Sequence, residues 1–130
     1  MKYKLIKKCV VSVSHQVDVP YDSPCRNAHG HDWGITIQVE GNMLRPEGFL
    51  IDPDDIENVI NSLNYKHLNN TMQTNPTAEN VAVWVAAGVD SIIDEFWGGG
   101  HGARPFVTEV IIQEKEEQIV YTPTSKPLQG

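Results

Sequence analysis

Two stretches of alternating apolar residues constrain this chain most. Tyr3 to His15 is rich in β-favouring side chains and puts Leu5, Cys9, Val11, Val13 and His15 on one face, with Lys7 the exception. His31 to Val39 alternates more cleanly, with His31, Trp33, Ile35, Ile37 and Val39 on a common face. Side-chain direction repeats every second residue in a strand, so His29 projects to the same side as His31. If the two strands pair antiparallel, His15 at the end of the first meets His29 and His31 at the start of the second. Three neutral imidazoles on a rigid sheet have the geometry of a zinc site with an open fourth position, the arrangement of catalytic zinc. The same residues also fit ordinary hydrogen-bonded histidines, and spacing alone leaves both readings standing.

Between the strands, Gln16–Ala28 is too long for a tight hairpin, and Pro20, Asp22, Ser23 and Pro24 mark it as a loop. Functional residues concentrate where such loops meet a scaffold. This loop delivers Cys25, which by type is either a small hydrophobe or a fourth zinc ligand. Gly30, between two histidines, indicates a bulge or a close backbone approach.

Beyond Gly41, the segment Leu44–Gly48 is turn material and Phe49-Leu50-Ile51 a short apolar run. Asp52-Pro53-Asp54-Asp55 starts a helix: a capping Asp, Pro at the first helical position, and acids that complement the dipole. Ile56, Val59, Ile60 and Leu63 supply its apolar stripe, and the helix is expected to end near Asn64. A second helix begins at Asn75-Pro76-Thr77, capped by Asn75 or Thr77. It should bury Val81, Trp84, Val85, Gly88 and Ile92 and run to about Trp97, stopped by Gly98-Gly99-Gly100. Strands follow at Val107–Glu114 and Gln118–Tyr121, and residues 123–130 read as a loose tail.

This predicts an α+β fold of strand-strand-helix-helix-strand-strand order, an antiparallel four-stranded sheet with two helices on one face. At 130 residues the chain suits a single domain spanning 1–130. A formal charge of −7 without a basic block argues against nucleic acid or an anionic membrane as the main partner. Two cysteines are too few for a disulfide framework, and no segment approaches a membrane span, so a cytoplasmic location is expected.

Cys25-Arg26-Asn27-Ala28-His29-Gly30-His31 after a strand ending Ser14-His15, with Asn75-Pro76-Thr77-Ala78-Glu79-Asn80 downstream, resembles the 6-pyruvoyl- and 6-carboxy-tetrahydropterin synthase family. The resemblance covers nearly the whole chain and implies the tunnelling fold, with trimers stacking into a homohexamer whose sites lie at subunit interfaces. It implies that His15, His29 and His31 hold Zn2+, and that Cys25 is the base. It makes Thr77, Glu79 and Glu114 pterin-pocket residues. A pterin offers two adjacent N–H donors that suit one carboxylate. By residue type alone, Thr77 is a helix cap and Glu114 a solvated acid.

The chain departs from the family at two places. Glu114 is followed by Lys115 where the family usually has Thr. The family's Leu-Asp-His reads Leu63-Asn64-Tyr65 here, replacing an Asp-His proton relay by an amide and a phenol. Tyr65, or His67 two residues on, is then the candidate for that role beside Cys25.

The function implied is a zinc-dependent lyase that converts 7,8-dihydroneopterin triphosphate to 6-carboxy-5,6,7,8-tetrahydropterin, a step toward queuosine and related deazapurines. Sequence leaves open a 6-pyruvoyl product, a retro-aldol cleavage of dihydroneopterin, and a non-catalytic pterin- or zinc-binding protein. Arg26, Lys66 and Arg104 are basic loop candidates for the triphosphate, and His101 is a further loop histidine.

Overall fold

β1 (Tyr3–His15) and β2 (His29–Gly41) form a long antiparallel pair in continuous register from Tyr3–Gly41 to His15–His29. The computed structural model describes residues 3–98 and 104–123, so His101, Gly99, Gly100 and most of the expected tail lie outside them. α1 (Pro53–Asn61) follows, then a two-residue β3 (Lys66–His67), α2 (Ala78–Trp97), β4 (Phe106–Gln113) and β5 (Gln118–Tyr121).

The sheet has five strands in the order β3-β1-β2-β4-β5, rather than the expected four. It is also mixed, because β3 pairs parallel with β1, matching Val13 to Lys66 and Ser14 to His67. So short a strand carries no alternation to read. It forms because Tyr65 N–H donates to the Ser12 carbonyl at 2.6 Å and Asn64 Oδ1 accepts the Ser12 N–H at 2.9 Å. These bonds satisfy an edge that β1 would otherwise expose.

Both helices lie on one face of the sheet, as the period-two pattern demands. Val11, Val13, Trp33, Ile35, Ile37, Val39, Val110 and Ile112 meet Ile56, Ile60, Val81, Val85 and Val89 in one continuous core. Lys7, the exception on that face of β1, is accommodated by an ion pair with Glu57 of α1 at 3.5 Å. α1 is capped by Asp52 as expected but ends at Asn61, where tight turns take over up to Tyr65. Thr77, not Asn75, caps α2: its Oγ1 accepts the Asn80 N–H at 3.1 Å. The buried face of α2 is rotated from the expected stripe, toward Ala82, Ala86, Val89 and Ile93, leaving Trp84 and Ile92 half-buried. Small alanines let the helix approach closely on a side that hydrophobic size alone does not reveal.

At the far end of β2, a side chain on Gly41 would meet Leu50 at 2.9 Å and the Pro105 backbone at 3.1 Å. Gly41→Ala should therefore cost about 1–3 kcal/mol by overpacking, read as a lower urea midpoint. On α2, burial pushes the Asp90 carboxyl up, against the opposing pull of Arg104 and the Val107 N–H, with Asp94 adding to the rise. The folded state thus holds this proton more tightly than the unfolded chain. Its contribution is present at low pH and is lost as pH rises through the folded value. Asp90→Asn should consequently gain stability relative to wild type between pH 4 and pH 7, measured by thermal unfolding at each pH.

Candidate metal centre and pterin pocket

The β1–β2 register brings three histidines together. His15 pairs with His29, and His31 stands across from Val13 on the same face. Their ring centroids are 4.5, 5.0 and 4.8 Å apart, and one nitrogen from each lies within 4.8 Å of the others. The floor beneath them is Trp33, fully buried, stacked under His31 at 5.5 Å and edge-on to His15 at 5.4 Å.

Hydrogen bonds orient two of the rings. His15 Nδ1 lies 2.6 Å from the Pro76 carbonyl and His29 Nδ1 lies 2.8 Å from the Asn27 carbonyl. A carbonyl only accepts, so both Nδ1 atoms carry hydrogen and both Nε2 lone pairs are free in the neutral rings. His15 Nε2 is buried with no hydrogen-bond partner among the described residues. An orphaned buried acceptor is costly unless a ligand occupies it. Burial also lowers the His15 pKa, with His29 and His31 adding to the shift while the Pro76 bond and Glu114 oppose it. Three converging imidazoles, two of them held by backbone carbonyls, are a donor set that fits a divalent transition metal.

Two asparagines fasten the surrounding loops like strand partners. Asn69 exchanges two hydrogen bonds with the Gln16 backbone, at 2.8 and 2.9 Å, and Asn75 exchanges two with Asp18, at 2.9 and 2.8 Å. Asn80 ties back to the Asn75 carbonyl at 2.8 Å, so the residues flanking Pro76 are held from both sides. Cys25 sits exposed in a short 3-10 turn, Pro24–Arg26. Its N–H donates to Ser23 Oγ at 3.2 Å, and its carbonyl accepts the Val17 N–H at 2.8 Å.

The sequence profile of the family described as 6-pyruvoyl tetrahydropterin synthase matches residues 4–123. The chain belongs to that family. It is 28% identical over 90 residues to a dihydroneopterin monophosphate aldolase of Pyrococcus furiosus, covering 66% of this chain and 74% of the relative. The 6-pyruvoyl tetrahydropterin synthase of Caenorhabditis elegans superposes with a TM-score of 0.69 at 17% identity, over 94% of this chain and 96% of that one. The Plasmodium vivax 6-pyruvoyltetrahydropterin synthase gives 0.62 at 12% identity, over 92% and 96%. At such identities the structural likeness speaks for the fold.

Within this family member the remaining candidates are more dispersed. Glu114 follows the last β4 residue, one step beyond the Gly34–Gln113 pair and therefore beside Trp33, and its charge reaches His15. Thr77 is engaged as the α2 cap, and Glu79 is exposed in the first turn. His67 Nδ1 is 2.9 Å from Ser14 Oγ, which puts its ring on the face opposite His15. Tyr65 has a left-handed backbone, φ 60°, and is 84% exposed. Within one chain, then, His15, His29, His31 and Glu114 share a face while Tyr65 and His67 point elsewhere. Arg104 pairs with Asp94 at 2.8 Å. Attention to side chains overlooked the Pro76 and Asn27 carbonyls; a Pro before a helix cap was the signal for the first.

Asn75→Ala should cost about 1–3 kcal/mol from its lost hydrogen bonds, measured by urea unfolding. Because Pro76 follows directly, the same variant should bind zinc more weakly in a chelator competition.

Proposed function

We propose that this chain is a zinc-dependent lyase that breaks down the side chain of a phosphorylated 7,8-dihydroneopterin. The carrying observation is the convergence of three imidazoles with Glu114 on one sheet face. His15, His29 and His31 would hold the zinc, which supplies Lewis-acid polarisation of the substrate's side-chain oxygens. Glu114 anchors the pterin by accepting its amino and ring N–H groups on two oxygens. Thr77 and Glu79, at the start of α2, border the ring. Cys25, as thiolate, takes a side-chain proton.

Two reactions fit this apparatus. In the first, 7,8-dihydroneopterin triphosphate takes up one water and loses triphosphate and acetaldehyde to give 6-carboxy-5,6,7,8-tetrahydropterin. In the second, Cys25 deprotonates the 2′-hydroxyl, the C1′–C2′ bond breaks, and its electron pair passes into the conjugated C6=N5 bond. An aldehyde leaves, and a proton returned to C1′ gives a 6-hydroxymethyl pterin. Asn64-Tyr65 in place of an Asp-His relay supports the retro-aldol, which needs only one proton removed and one delivered. The aldolase of Pyrococcus furiosus points the same way.

Tyr65 suits the returning step, since a phenol donates a proton more readily than it accepts one at neutral pH. Its exposed ring, on strained backbone, would serve a site shared with a neighbouring subunit. His67, facing away from His15, would act across the same interface. A homo-oligomer with interfacial sites is accordingly part of the proposal.

Incubating the zinc-loaded protein with dihydroneopterin monophosphate or triphosphate and identifying the pterin product by chromatography tests this directly. A 6-hydroxymethyl product supports the retro-aldol, and a 6-carboxy product with acetaldehyde supports the synthase reaction. Tight pterin binding without turnover would make the protein a binder and overturn the lyase. Cys25→Ala should lower kcat by about 10²–10⁴-fold while retaining zinc. Tyr65→Phe should lower kcat with unchanged thermal stability, whereas an unchanged kcat would remove Tyr65 from the mechanism.

A further inference from the structure

The three imidazoles are not held alike. His15 and His29 each donate from Nδ1 to a backbone carbonyl, and those bonds fix both the plane of the ring and the nitrogen left free. No such bond reaches His31 among the described residues. What it has instead is an aromatic neighbour. Trp33, two residues on along β2, shares its face, and the two rings lie 22° from parallel with centroids 5.5 Å apart. The indole meets His15 differently, edge-on at 88°.

Trp33 offers a fixed surface because close packing holds it. It stands opposite Val11 of β1, is fully buried, and belongs to the continuous core beneath the helices. Its indole N–H is buried without a hydrogen-bond partner among the described residues, so packing alone sets its orientation. An unmet buried donor lowers stability, a cost that a phenyl ring would avoid. What the wider indole adds is a face under His31 together with an edge against His15.

We propose that Trp33 is the positioning residue of the third metal ligand: its stacked face sets the plane in which His31 presents a nitrogen to the ion. A stack fixes that plane but, unlike a hydrogen bond to Nδ1, does not choose between the two ring nitrogens. His31 is therefore the ligand whose coordinating nitrogen is not preset, whereas His15 and His29 offer Nε2. The positioning role rests on the zinc site proposed above; the stack itself does not.

Zinc affinity by chelator competition tests it on the full chain, in wild type, Trp33→Phe and Trp33→Met, each with and without His31→Ala. Aromatic pairs of this kind predict a zinc Kd about threefold to tenfold weaker in Trp33→Met, and within about twofold of wild type in Trp33→Phe, which keeps a ring under His31. In the His31→Ala background, Trp33→Met should have no further effect, because it acts through His31. An equal loss in both backgrounds, or none in either, overturns the proposal. Proton NMR of zinc-free wild type reads the stack even where the Met variant does not fold. The ring signals that vanish in His31→Ala should lie upfield, shielded by the indole face, and unshifted signals overturn the stack. Wild type that shows the shielded ring yet binds no zinc would refute the zinc site and with it the positioning role, leaving a core contact only.

Discussion

The register of β1 against β2 is the constraint on which everything else depends. Because strand side chains alternate, a slip of one residue would send His15 to the opposite face and leave His29 and His31 without a third partner. The register is set by burial: Cys9, Val11 and Val13 share a face with His15, and Trp33, Ile35, Ile37 and Val39 share one with His31. The hydrophobic effect that drives those residues inward also delivers the imidazoles to one place. The Pro76 carbonyl then selects which nitrogen of His15 is free. Core packing and the convergence of the three imidazoles are here consequences of one strand register.

That coupling explains why the histidine cluster was legible in the sequence. Period-two alternation through Tyr3–His15 and His31–Val39 carries the strand pairing, and the positions of the histidines follow from it. The cap at Asp52 and the extent of α2 were equally plain, since each rests on local chemistry. β3 was not legible, because two residues show no period and their pairing depends on Asn64 and Tyr65 reaching Ser12. The rotation of α2 escaped for a related reason: alanines mark close approach only when the partner surface is known. The Pro76 and Asn27 carbonyls are backbone atoms, which no reading of side-chain types can single out.

The segment Leu63–Asn69 illustrates how a substitution changes chemistry while keeping structure. Asn64 Oδ1 accepts the Ser12 N–H as a carboxylate oxygen would, so the edge of β1 stays satisfied. What is lost is charge, and with it the means to stabilise an imidazolium. Tyr65 occupies the next position in a left-handed conformation that most residues avoid, and its ring is turned outward. On the proposed function, this favours cleavage of a carbon–carbon bond over the longer rearrangement of a tetrahydropterin synthase.

The central claim is that three imidazoles from two adjoining strands hold one metal ion. Elemental analysis of the protein, resupplied with zinc and dialysed, measures it most directly. The account predicts about one zinc per chain in wild type and near none when His15 and His29 are both replaced by alanine in a variant that still folds. Wild-type protein that retains no metal, or a double variant that retains as much as wild type, would contradict it.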